Sequence, residues 1–95
     1  MMTFFSGELV TAQAQFYDLN GVPVDPTTVT LLYRIGSAAS TPLGYPGGIS
    51  RVAVGVYIAA FDSTNLTGVW TVKWISTGLG QSVSEAQFEV QATML

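Results

Sequence analysis

The sequence predicts an all-β domain, a sandwich or small barrel of about seven short strands, on three observations. Apolar residues recur at every second position along most of the chain, turn residues punctuate these stretches at short intervals, and no segment sustains helical spacing. A period of two is the signature of a strand with one buried face, and several such strands divided by turn signals define sandwiches and small barrels.

The first strand candidate covers residues 8–18, with Val10, Ala12, Ala14 and Phe16 on one parity and Thr11, Gln13 and Gln15 on the other. Asn20-Gly21 then marks a turn, because both residues accept positive φ. Proline restrains the residue before it to extended geometry, so Val24-Asp25-Pro26 continues without a helix. The second strong strand is Thr28–Ile35, with Val29, Leu31, Tyr33 and Ile35 aligned. The stretch 36–50 is rich in Gly, Ser and Pro, and reads as one long loop or as two short edge strands around Leu43 and Ile49. Arg51 to Val54 is a short strand, after which Gly55 breaks the parity by a turn or bulge. Residues 56–61 form the next strand, with Tyr57, Ala59 and Phe61 inward. Residues 62–68 turn the chain, and 63–66 has the make-up of a single helical turn. Residues 69–76 return it, aligning Trp70, Val72 and Trp74. After a further turn at 77–81, residues 83–92 close the domain with Ala86, Phe88 and Val90 inward. The predicted core is Phe16, Val29, Leu31, Tyr33, Tyr57, Phe61, Trp70, Val72, Trp74 and Phe88.

Ninety-five residues make one domain, spanning 1–95, and 48% hydrophobic residues are ample for its core. There is neither cysteine nor histidine. Disulfides, thiol nucleophiles and thiolate metal sites are therefore excluded, along with the commonest general base and transition-metal ligand. The net charge is −3, and the three cations Arg34, Arg51 and Lys73 are dispersed. Nucleic-acid binding draws on clustered Lys and Arg, so no nucleic-acid partner is expected. No stretch reaches the roughly 20 apolar residues of a membrane helix. The start, Met-Met-Thr-Phe-Phe-Ser-Gly-Glu, lacks the cationic and long apolar regions of a secretory signal, so neither a membrane partner nor export is expected.

Of the six carboxylates, Asp18, Asp25 and Asp62 stand in turn sequences, where a side-chain oxygen bonds nearby backbone amides. Glu85 and Glu89 fall on the polar parity of the last strand. No pair is placed for acid–base work, and no run resembles a calcium loop, so catalytic residues, metal and cofactor are all expected to be absent. Trp70 and Trp74 share parity with Val72 and read as core rather than as a sugar-binding platform. Tyr45, between Gly44 and Pro46, is the better exposed contact residue.

Charged residues make up only 9% of the chain, against roughly a quarter in ordinary soluble domains. The outward parity of the 56–61 strand is Val56, Ile58 and Ala60. Placed beside it across the 62–68 turn, as a hairpin, would be Val69, Thr71, Lys73 and Ile75, with Leu32 as a further outward apolar residue. A contiguous apolar patch of this kind marks an interaction surface. The expected partner-binding residues are Leu32, Tyr45, Val56, Ile58, Val69 and Ile75.

Four stretches carry a resemblance. They are Asp18-Leu19-Asn20-Gly21-Val22-Pro23-Val24-Asp25-Pro26-Thr27-Thr28-Val29-Thr30-Leu31, Gly55-Val56-Tyr57, Thr67-Gly68-Val69-Trp70-Thr71-Val72-Lys73-Trp74 and Gln87-Phe88-Glu89-Val90. Together they resemble small immunoglobulin-like proteins encoded among the head and connector genes of tailed bacteriophages and prophages. The resemblance implies an immunoglobulin-like antiparallel β-sandwich, in which Gly55-Val56-Tyr57 is similar to the tyrosine corner of such domains. The antibody disulfide is missing. Periplasmic metal-handling domains share the Gly-x-Tyr and Gly-x-Trp layout, but their histidines and methionine clusters are absent here. The implied function is that of a non-catalytic virion structural protein, a capsid decoration or a minor head or head–tail protein. Its partners would be other virion proteins, as a homo-oligomer or an assembly-bound subunit made in the host cytoplasm and found in the virion. The alternative is a recognition module that binds a surface glycan or host receptor through the 36–50 loop.

Overall fold

The computed structural model describes residues 2–94, which form eight strands and no helix. In chain order these are β1 (Met2–Phe5), β2 (Leu9–Gln15), β3 (Thr28–Ile35), β4 (Thr41–Gly44), β5 (Ser50–Ala53), β6 (Val56–Asp62), β7 (Gly68–Thr77) and β8 (Ser82–Gln91). They make a five-stranded sheet in the order β1-β8-β7-β3-β4 and a three-stranded sheet in the order β2-β6-β5. The two sheets form a sandwich with immunoglobulin-like strand order. All neighbours are antiparallel except β1, which runs parallel to β8 with Met2 beside Phe88 and Phe5 beside Gln91.

The alternation read from the sequence fills the space between the sheets. Val10, Phe16, Tyr57, Ala59 and Phe61 project from one sheet, and Val29, Leu31, Trp70, Val72, Trp74, Phe88 and Val90 from the other. Trp70 sits at the centre, 1% exposed. Its ring lies 5.5 Å from Phe61, 5.5 Å from Phe88 and 5.8 Å from Tyr33. Every expected core residue is buried except Tyr33, which is half-buried against Phe61. Leu43 packs from β4, so the 36–50 stretch holds one edge strand around Leu43; Ile49 joins the core from outside any strand, just before β5, which is the strand expected at Arg51–Val54.

Three expectations are corrected. The fold has an eighth strand, β1, whose Phe4 ring stands edge-on to Phe88 at 5.5 Å. Ala86 lies on the inward parity but is exposed, because the first half of β8 extends past the cover of the facing sheet. Residues 63–66 form a turn closed by the Leu66 N–H on the Ser63 carbonyl at 3.0 Å, not a helical turn.

Two buried serines fasten the connections. Ser63, at 0% exposure, donates from Oγ to the Glu8 carbonyl at 2.6 Å and accepts the Gly7 N–H at 3.2 Å. This ties the β1–β2 crossing to the β6–β7 crossing. The Ser76 hydroxyl donates to the Gly80 carbonyl at 2.8 Å and accepts the Ser82 N–H at 2.9 Å, which sets the β7–β8 turn. Buried hydroxyls without partners cost stability, and each of these is satisfied by backbone that would otherwise lie open.

Candidate partner-binding surfaces

The expected apolar hairpin face does not exist as one surface. β6 and β7 are consecutive but belong to different sheets, so the 62–68 connection crosses the sandwich instead of closing a hairpin. Val56 and Ile58 lie half-buried on the outside of the three-stranded sheet. Leu32, Val69 and Ile75 lie on the outside of the five-stranded sheet, where Leu32 pairs with Lys73 and Thr30 with Ile75. The six residues therefore divide into two faces on opposite sides of the molecule, plus Tyr45 in the connection between β4 and β5. The physical reason is that alternation assigns a side chain to inside or outside, and says nothing of which sheet the strand joins.

The crossing is fixed by Trp70. Its indole Nε1–H donates to the Leu66 carbonyl at 3.0 Å, four residues upstream in the connection. A tyrosine corner makes this kind of bond at this place in other immunoglobulin-like domains. The Gly-x-Tyr element at 55–57 is not that corner. Tyr57 lies at the start of β6, and its hydroxyl donates across the sandwich end to Asp25 Oδ1 at 3.1 Å.

Asp25 is the centre of a polar cluster that contains the Arg51 ion pair. Its Oδ1 accepts Arg51 Nε at 3.0 Å, the Gly55 N–H at 2.9 Å and the Tyr57 hydroxyl, while Oδ2 accepts Arg51 Nη2 at 3.0 Å. The bidentate Arg51 guanidinium foremost, then the Gly55 amide, lowers the Asp25 carboxyl to about 2. Burial foremost, then the bond to Asp25, raises the Tyr57 phenol. Tyr45 stands edge-on to the Tyr57 ring at 5.3 Å, half-exposed, with its N–H on the Val29 carbonyl at 3.1 Å. The cluster thus spends its donors and acceptors in holding the β2–β3 connection, β5, β6 and the 45–49 loop together.

The remaining turn carboxylates behave as read from the sequence. Asp18 Oδ1 accepts the Asn20 and Val22 N–H groups at 2.8 and 3.0 Å, and Asp62 Oδ1 accepts the Thr64 N–H and hydroxyl at 3.0 and 2.7 Å. The Thr64 hydroxyl, then its amide, lowers the Asp62 carboxyl. Among the described residues no three His, Cys, Asp or Glu side chains converge.

One surface was not anticipated. The 16–27 connection, the β5–β6 turn and the β7–β8 turn meet at one end of the sandwich, where the Phe16 N–H bonds the Gly55 carbonyl and the Thr27 N–H bonds the Thr77 carbonyl. Their tips expose Leu19, Val22, Val52, Val54 and Leu79. A shallow recess of about 540 Å3 lies between 17–20 and 78–81. The signal in the sequence was an aliphatic residue inside a turn, as in Asp18-Leu19-Asn20-Gly21 and Gly78-Leu79-Gly80, where turn chemistry asks for none.

Comparison with protein-family models finds no match, and comparison with curated proteins finds no significant one.

Proposed function

We propose that the protein is a non-catalytic structural subunit of a tailed-phage virion, either a capsid decoration or a minor head or head–tail protein, that works by binding other virion subunits. The observation that carries this reading is how the outside of the sandwich is dressed. Val56 and Ile58 lie on the outside of the three-stranded sheet, where β2 and residues 56–61 carry no charge, whereas Leu32, Val69 and Ile75 lie on the other outer face among Arg34, Lys73, Glu85 and Glu89. Apolar outer faces favour association, since each Å2 removed from water contributes roughly 25 cal/mol. The chemistry of the polar side chains supports the same reading. Asp18 and Asp62 spend a carboxylate oxygen on backbone amides of their own turns, and Asp25 is held as a carboxylate by Arg51.

The test is incorporation. Particles purified by density gradient from cells that encode the chain should carry it in a fixed ratio to the major capsid protein. Ile58→Asp or Leu32→Asp should lower that ratio while leaving the free domain folded. A chain that stays with soluble protein, or binds an immobilised glycan saturably through Tyr45 as a monomer, overturns the reading.

A further inference from the structure

The sheet edges differ in how they are defended. An edge strand offers a row of free N–H and C=O groups to another chain, and natural sheets blunt it by shortness, proline, bulges or charge. β4 is four residues long and contains Pro42, β5 is four residues with a register shift between Arg51 and Ala53, and β1 is four residues. The first half of β8, over 82–87, has no strand outside it but carries Glu85 in its middle. β2 has none of these devices. It is seven residues long, Leu-Val-Thr-Ala-Gln-Ala-Gln, without proline, charge or bulge, and pairs in unbroken register with β6 on one side only.

We infer that β2 pairs antiparallel with β2 of a second copy of this chain, about a two-fold axis at Ala12, to make one continuous six-stranded sheet. The register is self-complementary. Centred on Ala12, it sets Thr11 opposite Gln13 of the partner, Val10 opposite Ala14 and Leu9 opposite Gln15. Thr11 and Gln13 are exposed on the outer face, so the two couples that flank the axis are polar with polar, Leu9 meets Gln15 further out, and no charges oppose. Val10, Ala12 and Ala14 keep to the inner face. Beneath the edge lies a cleft of about 250 Å3 lined by Met2, Phe4, Val10, Ala12, Trp74 and Phe88 among others, and a partner strand closes its mouth. The arrangement is also self-limiting. After β2 is used, the outermost strands of the joined sheet are the two bulged β5 strands, so the pairing is isologous and stops at two copies. The inference does not depend on the virion reading, since the second copy is the partner in either case.

The experiment uses the whole chain and sedimentation equilibrium, which should show a monomer–dimer equilibrium. Thr11→Lys with Gln13→Lys places Lys opposite Lys twice across the axis and should weaken the dimer about tenfold or more. Thr11→Lys with Gln13→Glu, at the same two positions, places opposite charges across the same axis and should leave the dimer as tight as wild type or tighter. Circular dichroism of all variants checks that the monomer remains folded. Because the chain has no cysteine, the register can be read directly: a mixture of Thr11→Cys and Gln13→Cys proteins should oxidise mainly to the mixed dimer. A chain that stays monomeric up to about 1 mM overturns the inference, as do equal effects of the two double variants or disulfides without preference for the mixed pair. Failure here with normal particle incorporation leaves the virion reading standing, so the two fail separately.

Discussion

Gly55→Ala is the substitution whose cost the structure defines most closely. Gly55 has φ +72°, is buried, and lies where the 16–27 connection crosses the β5–β6 turn. A Cβ built there would stand 2.6 Å from the Phe16 carbonyl oxygen, 3.0 Å from the Val24 carbonyl oxygen and 3.1 Å from the Val24 nitrogen. All three are backbone atoms; the Val24 N–H is bonded to the Phe16 carbonyl, and the Phe16 N–H to the Gly55 carbonyl. None can rotate away as a side chain would. The left-handed conformation alone costs an alanine about 1–2 kcal/mol, and displacing two bonded strands adds the loss of about 1–2 backbone hydrogen bonds at roughly 1 kcal/mol each. The expected total is about 2–4 kcal/mol. Gly21→Ala supplies the control, because Gly21 has a similar φ of +77° in the neighbouring turn and nothing within 4 Å of the added Cβ, so it should lose only the conformational part. Urea unfolding followed by tryptophan fluorescence measures both, with an unchanged slope showing that stability alone has moved. If Gly55→Ala costs no more than Gly21→Ala, the close approach is not what requires glycine, and the account of this end of the sandwich fails.

Trp70→Phe removes the bond to the Leu66 carbonyl but keeps an aromatic ring, and should cost about 1–3 kcal/mol; Trp70→Ala opens the core and should cost about 3–5 kcal/mol, both read by urea unfolding. The Asp25 carboxyl lies lower in the folded chain, at about 2, than its ordinary 3.8. The stability it contributes is therefore full above 3.8 and lost as the pH falls from there toward 2. The difference in melting temperature between wild type and Asp25→Asn should accordingly be constant near neutrality and shrink through that acid window. Ser63→Ala takes away the hydroxyl's bonds to the Glu8 carbonyl and the Gly7 N–H and should cost about 1–3 kcal/mol, with amide exchange speeding up at Gly7. Ile58→Asp and Leu32→Asp each place a charge on an outer face and should leave the monomer within about 1 kcal/mol of wild-type stability, measured in the same unfolding assay.

Most of the fold was legible because its strands obey a period of two. β3 runs between the residues where the alternation begins and ends, and β2, β6, β7 and β8 lie within a few residues of where alternation placed them. The parity break at Gly55 was visible for the same reason, since Val52 and Val54 alternate out of step with Tyr57, Ala59 and Phe61. β1 was not legible. Met-Thr-Phe-Phe is too short to show a period, and what places it is tertiary, the Phe4 ring against Phe88 and the Ser6 N–H on the Gln91 carbonyl. The exposure of Ala86 was hidden as well, because parity names a face and the extent of the opposing sheet decides whether that face is covered.

The candidate surfaces were harder to read, and the error has one cause. Val56, Ile58, Val69 and Ile75 were each placed correctly as outward, yet grouping them assumed that successive strands pair. In a sandwich a connection such as 62–68 either turns within a sheet or crosses to the other, and both leave the inner residues inner. The distinguishing residues here are local: Asn65 at φ +59°, Ser63 bonded back to Glu8, and Trp70 reaching the Leu66 carbonyl, all of which shape an arch. The division bears on the function proposed above. A hairpin patch would have made a subunit with one sticky side, able only to sit on a partner. Under the proposed virion reading, outward aliphatic residues on both sheets, across a body 24 Å in its short dimensions, suit a subunit that lies between neighbours, one on the largely uncharged face of β2 and β6 and one on the charge-bearing face around Leu32 and Lys73. Edge pairing through β2 is compatible with both, since it consumes neither face and lengthens the one that bears Val56 and Ile58.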